Sequence, residues 1–197
     1  MKSLYYFIVK PLNDRYDNTR TIAGTDLIIN SGIEDHRFIS KKAVVVSTPA
    51  AYTTKINIGD ELYIHHNIFR RWYDQKGKER NSSTHFKDDL YFVAPEQIYM
   101  YNLKTHLDYC FVKPLKNQSV LENRKEQPNI GIVKYSNKSL EALKITPGTL
   151  ITFTPNSEFE FIIEGERLYC MKSNDIALTH EYQGNEEENN PSWAKGS

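Results

Sequence analysis

The stretch Phe7-Ile8-Val9-Lys10-Pro11-Leu12 decides the fold, because it returns as Cys110-Phe111-Val112-Lys113-Pro114-Leu115, 103 positions later. Two more stretches repeat in the same order along the chain, at residues 55–60 with 144–149 and at residues 90–98 with 168–176. Similarity at three ordered places is typical of a duplicated structural unit. The sequence therefore predicts two homologous domains.

The distance between matched stretches falls along the chain, from 103 to 89 and then to 78 positions. The first copy is therefore longer than the second between its matched stretches. Surface loops absorb such length differences at a small cost in free energy, whereas the strands of a sheet do not. We expect a first domain with longer loops at 1–103, a second domain at 104–181 and a polar tail at 182–197.

Short runs of β-branched and aromatic residues, including many of the 13 tyrosines, predict an all-β fold. The predicted strands are Tyr5–Lys10, Leu27–Asn30, Lys42–Ser47, Glu61–His65, Tyr91–Val93, Tyr109–Lys113, Ile130–Tyr135, Leu150–Phe153, Phe159–Ile163 and Arg167–Met171. Glu164-Gly165 predicts a hairpin turn between the last two strands. One helical turn is expected near Ser139–Lys144. Pro11 and Pro114 are expected to end their strands, because proline has no N–H to donate to a ladder.

Composition limits the classes of function. Lys+Arg and Asp+Glu are equal at 25 each, whereas nucleic-acid binders usually carry an excess of basic residues. The apolar run Leu4–Val9 is too short for a signal peptide or for a membrane span. Cys110 and Cys170 lack the spacing of a redox motif and are expected to be buried thiols. We therefore expect a cytoplasmic protein without a membrane partner.

Several motifs resemble the chaperonin-10 (GroES) co-chaperonin family. They are Val9-Lys10-Pro11-Leu12-Asn13-Asp14-Arg15, followed later by Ile58-Gly59-Asp60, and their counterparts at Val112-Lys113-Pro114-Leu115 and Ile145-Thr146-Pro147-Gly148. The layout is similar to double-domain relatives, including tandem forms encoded by bacteriophages. The resemblance implies two tandem small GroES-like β-barrels and a homo-oligomer that assists protein folding by contacting a chaperonin-60 ring. For a viral form, the location would be the cytoplasm of the host cell.

Members of that family contact the ring through a mobile loop that carries an apolar tripeptide after a glycine. The nearest match is Leu27-Ile28-Ile29, which follows Gly24. The alternative is that these three residues form the second barrel strand, with Ser31–Phe38 as the loop. The second copy has no glycine-flanked tripeptide between Leu115 and Gly131, so each chain has at most one such loop. A structural or assembly protein, for instance a viral one, that keeps the fold without this loop is the alternative function.

An insertion in the first copy combines aromatic and basic side chains. Its candidate interaction residues are Arg70, Arg71, Trp72, Lys76, Lys78 and Arg80. Such mixtures bind single-stranded nucleic acid or other acidic surfaces. The alternative is a solvated hairpin with Trp72 and Tyr73 packed on the barrel. A continuous basic face would favour the nucleic-acid hypothesis.

The sequence carries no recognisable catalytic arrangement. It has no nucleophile–base pair, no carboxylate dyad and no glycine-rich phosphate loop, so we expect neither an enzyme nor a cofactor. His65 and His66 are adjacent, and adjacent strand residues point to opposite faces, which argues against a metal site with His85. The tail around Trp193 is interpreted as a docking segment, because an exposed tryptophan usually packs against a surface.

Overall fold

A computed structural model describes residues 3–17, 19–22, 25–28, 32, 35–117, 126–181, 184 and 186–196. For residues 19–22, 25–28 and 195–196 only the backbone is described. The chain divides into two compact units, unit 1 (Met1–Leu103) and unit 2 (Lys104–Ser197). The regular secondary structure of the described residues is mainly β-strand, which confirms the all-β prediction.

Unit 1 is built from ten short strands among its described residues. They are β1 (Phe7–Pro11), β2 (Thr19–Ile22), β3 (Thr25–Ile28), β4 (Lys42–Ser47), β5 (Glu61–Ile64), β6 (Arg71–Tyr73), β7 (Glu79–Asn81), β8 (His85–Lys87), β9 (Leu90–Val93) and β10 (Ile98–Tyr101). Single 3₁₀ turns lie at His66–Ile68 and Pro95–Gln97.

In its described residues, unit 2 contains one short helix besides its strands. The strands are β11 (Lys104–Thr105), β12 (Tyr109–Lys116), β13 (Glu126–Tyr135), β14 (Leu150–Phe153), β15 (Phe159–Ile163), β16 (Glu166–Lys172) and β17 (Ile176–His180). The helix is α1 (Lys138–Ala142), and 3₁₀ turns lie at Ser173–Asp175 and Ser192–Gly196. Asn137 caps α1, since its side chain accepts a hydrogen bond from the Leu140 N–H.

The two units have the same strand order. Six strands of unit 1 lie in the order β10-β5-β4-β1-β9-β8, and the sheet of unit 2 has the order β17-β14-β13-β12-β16-β15. When the six strands of each unit are numbered in chain order, both sheets have the order 6-3-2-1-5-4. As far as the described strands go, both sheets are open, because no pairing joins their edge strands into a closed barrel.

The register of the strands matches as well. Val9 of β1 lies opposite Tyr91, and Val112 of β12 lies opposite Tyr169. These four residues are the ones that the sequence repeat pairs. The duplicated stretches therefore occupy equivalent places in the two sheets.

Each unit has a hydrophobic core of its own. In unit 1 the core includes Phe7, Leu62 and Phe69, all fully buried. In unit 2 it includes Val112 and Ile151, which are also fully buried. Each core forms because alternate residues of the strands point inward, as the burial pattern of β4 shows.

The turns between strands follow the expected chemistry, with one difference. Glu164 and Gly165 both have positive φ, of 50° and 74°, and join β15 to β16, as a two-residue hairpin turn requires. Pro11 ends β1, but Pro114 lies within β12. The carbonyl and the nitrogen of Pro114 both face the side of β12 toward β16, at a point where β16 no longer pairs with β12. The missing N–H of Pro114 therefore costs no hydrogen bond to β16.

Candidate interaction surfaces

A separate hairpin, formed by β2 and β3, lies in the connection between β1 and β4. Thr19 pairs with Ile28 and Ile22 pairs with Thr25. Leu27 and Ile28 therefore lie in β3, which pairs with β2 and is not part of the larger sheet. Ile29 lies outside the described residues. Among the described residues, Leu27 and Ile28 thus belong to a hairpin and not to the main sheet, and their role as a ring-contacting loop stays a prediction.

Unit 2 has a much shorter connection at the equivalent place. Between the end of β12 at Lys116 and the start of β13 at Glu126 the chain has only nine residues. Val120 and Leu121 fall in this stretch, outside the described residues. A hairpin as long as β2–β3 cannot fit into nine residues, so the units differ in length here.

The basic and aromatic insertion of unit 1 forms the β6–β7 hairpin. Trp72 lies opposite Arg80, and Arg71 lies opposite Asn81. The Asp74 carboxylate closes the turn by accepting hydrogen bonds from the N–H groups of Lys76 and Lys78, at 3.0 and 2.9 Å. The bond from Lys78, followed by those from the Arg80 side chain and Lys76, holds the pKa of Asp74 below its usual value.

The cations of this hairpin do not form one basic face. Arg71 pairs with Glu79 at 3.1 Å, and Arg80 pairs with Asp74 at 2.9 Å. Arg71 and Trp72 are neighbours on a strand and point to opposite faces. Arg70, Lys76 and Lys78 are exposed, and the rings of Trp72 and Tyr73 are about half exposed, at 41% and 53%.

Arg15 and Tyr16 hold this hairpin in place. In the sequence, Arg15 stands out only as the end of the family motif, and Tyr16 only follows it. The Arg15 guanidinium donates to the Phe69 carbonyl at 3.1 Å and to the Asn81 side chain at 3.0 Å. The Tyr16 hydroxyl accepts a hydrogen bond from the Arg71 N–H at 2.8 Å. Long-range contacts of this kind leave no periodic signal, so the sequence did not predict them.

His36, His65 and His66 lie together in unit 1. The rings of His65 and His66 stack with centroids 4.4 Å apart, and the His36 ring lies 5.7 Å from that of His66. Burial, together with the charges of His65, Lys41, His36 and Arg70, lowers the pKa of His66 to about 4. His85 lies elsewhere, with its ring Nε2 2.9 Å from the Asp88 carbonyl. Within the described chain, no three potential ligands are arranged to hold a metal ion.

The two cysteines are free and buried. Burial, with a smaller effect of the Asp175 carboxylate, raises the pKa of the Cys110 thiol to about 12. Burial likewise raises the pKa of Cys170 well above its usual value. Burial with a raised pKa is typical of structural cysteines.

Exposed edges and aromatic rings offer further contact area. Strand β17 is an edge of the unit 2 sheet, and Leu178 on it is 58% exposed. In unit 1 the rings of Tyr6 and Phe86 flank Phe92, at centroid distances of 5.9 and 5.1 Å, and both outer rings are more than 40% exposed. The sequence analysis did not single out this aromatic strip.

No family model matches the sequence, and no curated protein matches it. In the part of the chain that the structure describes, no helix has both the length and the apolar character to cross a membrane.

Proposed function

We propose that the protein is a co-chaperonin-like protein of two tandem GroES-like barrels, which assembles as a homo-oligomer and assists protein folding by contacting a chaperonin-60 ring in the cytoplasm. Two observations support the proposal. The same strand order occurs twice, and the β2–β3 hairpin lies in unit 1 where the resemblance expects the ring-contacting loop.

The physical basis of the contact is burial of aliphatic side chains. Leu27, Ile28 and Ile29 would each contribute about 1.5–3 kcal/mol if fully buried in an apolar groove. The cost of fixing the segment on binding offsets part of this gain, so a single contact is weak. Several hairpins on one oligomer would act together and raise the overall affinity. Exposed edge strands such as β17 support self-assembly, because they leave backbone groups free to pair.

A mixing experiment with a chaperonin-60 ring and nucleotide tests the proposal. We expect size-exclusion chromatography and electron microscopy to show a capped ring with the natural chain. The variant Leu27→Ser/Ile28→Ser/Ile29→Ser should lose capping. The control variant Val120→Ser/Leu121→Ser changes the equivalent connection of unit 2 and should still cap. Capping that survives the triple substitution would show that the hairpin is not the contact.

The alternative is a structural or assembly protein that keeps the fold and does not bind a chaperonin ring. The exposed edge strand β17 and the aromatic strip favour it, because both can contact neighbouring copies without the hairpin. A stable homo-oligomer with no affinity for the ring would support this alternative. Nucleic-acid binding is less favoured, since Arg71 and Arg80 already pair with carboxylates of the same hairpin.

A further inference from the structure

The C-terminal segment 186–196, here called the tail strand, fills a gap between two strands of unit 2. Strand β16 pairs with β12 only as far as Val112, and beyond this point the two strands diverge. In the gap, Glu188 forms an antiparallel bridge with Leu115. The Lys116 N–H donates to the Glu187 carbonyl, and the Asn189 N–H donates to the Pro114 carbonyl, both at 2.8 Å. The tail strand therefore extends the sheet beside β12.

The other side of the gap also binds the tail strand. The Arg167 N–H donates to the side-chain oxygen of Asn190, and the Asn190 amide donates to the Gly165 carbonyl, both at 3.2 Å. Further along, Ala194 is fully buried, while the Trp193 side chain is about half exposed. Backbone groups of both diverging strands thus find partners in one added segment.

Two lysines beside the gap form ion pairs with glutamates of the tail strand, which favours an acidic segment there. Lys113 binds Glu188 at 2.8 Å, and Lys116 binds Glu187 at 3.0 Å. The Glu126 carboxylate, held by Arg167, accepts a hydrogen bond from the Asn189 amide at 2.9 Å. Main-chain bonds supply affinity and side-chain pairs supply specificity, as in other cases of strand addition.

The described residues of unit 1 have the same strand order without such a segment. Pro11 and Leu12 correspond to Pro114 and Leu115, and among the described residues of unit 1 the only strand bridged to them is β4. The six-strand arrangement therefore does not require an added strand at this position. The tail strand behaves as a bound ligand of unit 2.

We propose that this gap is a strand-addition site for an extended acidic segment, and that in the assembled protein its occupant is the tail strand of a second copy. The tail strand is joined to β17 by five residues, 181–185, which include Gly184 in the left-handed region at φ 80°. A glycine there allows the chain to leave in another direction at little cost. The same contacts then form between copies. This inference does not depend on contact with a chaperonin.

Disulfide trapping between full-length chains tests it. One variant carries Lys116→Cys and the other carries Glu187→Cys. Antiparallel neighbours lie about 5.5 Å apart between Cα atoms, within the range for a disulfide. Cys110 and Cys170 are buried and do not compete. After mixing and mild oxidation, we expect a covalent dimer several-fold above the level given by Asn13→Cys with Glu187→Cys. Asn13 is the unit 1 counterpart of Lys116, which makes it the matched control.

Two further samples make the result decisive. A single chain with both Lys116→Cys and Glu187→Cys should form the disulfide, which verifies the docked geometry. Its failure to do so would overturn the proposed site. A mixed sample that gives no more dimer than the Asn13→Cys control would show that the tail strand stays on its own chain. The mixing test is repeated in chains that also carry Leu27→Ser/Ile28→Ser/Ile29→Ser. Dimer formation that persists in these chains is independent of ring binding.

Discussion

Gly131 in β13 lies where two strands of unit 2 approach each other closely. A Cβ at this position would lie 2.4 Å from the Cγ1 of Val112 and 2.6 Å from the Lys113 carbonyl oxygen. The backbone oxygen cannot move aside without displacing β12. The equivalent residue of unit 1 is Ala43, which lies opposite Pro11 as Gly131 lies opposite Pro114. The two copies have therefore diverged in how closely these strands approach.

Gly131→Ala is expected to reduce the free energy of unfolding by roughly 1–3 kcal/mol, because the added methyl overpacks the contact. The reciprocal substitution Ala43→Gly should cost about 1–2 kcal/mol, from backbone entropy and from the loss of a fully buried methyl group. Urea unfolding measures the change in unfolding free energy for both variants. A Gly131→Ala variant as stable as the natural chain would show that the strands are not this close.

Among the elements, the β6–β7 hairpin shows how unit 1 uses its extra length. The hairpin is held at its base by Arg15 and Tyr16 and closed at its tip by Asp74. Two of the three base contacts are partly buried, and all three join segments far apart in sequence, whereas the tip ion pair is exposed. The base contacts should therefore contribute more to stability than the tip.

Arg15→Met is expected to lower the free energy of unfolding by about 1.5–3 kcal/mol, the usual worth of hydrogen bonds to a charged group. The matched change at the tip, Arg80→Met, should cost less than about 1 kcal/mol, because exposed ion pairs contribute little. Urea unfolding followed by the fluorescence of Trp72 and Trp193 gives both values. Equal losses of unfolding free energy in the two variants would show that Arg15 does not anchor the base of the hairpin.

Sequence alone predicted the elements whose signal is local. Lys42–Ser47, Leu150–Phe153 and Phe159–Ile163 were predicted with the observed bounds, because apolar residues in short runs end at turn residues. Strand β17 was missed, since its residues are mostly exposed and show no alternation. The tail strand was judged only by its polar composition. It binds through main-chain groups, which composition does not report.

The candidate sites were predicted only in part, for a related reason. The residues of the β6–β7 hairpin are near each other in sequence, so their grouping could be foreseen. Their pairing with Asp74 and Glu79 depends on register, which separates Arg71 from Trp72 onto opposite faces. The gap at Pro114 depends on where β16 leaves β12, and that divergence arises from the three-dimensional arrangement of unit 2.

At the scale of the whole molecule, the chain repeats one arrangement of six strands and varies what is attached to it. Unit 1 adds the β2–β3 and β6–β7 hairpins, and unit 2 adds the tail strand. Separate cores support each unit. The proposed contacts with a chaperonin ring and with a second copy both use these additions, while the shared strands supply the framework.

The most direct test of this account is the amide NMR spectrum of each unit expressed alone, as residues 1–103 and 104–197. Because each unit has its own core and its own complete set of six strands, both fragments should give well-dispersed spectra. A narrow, unfolded spectrum from either fragment would contradict the claim that the chain is a duplication of a self-sufficient fold.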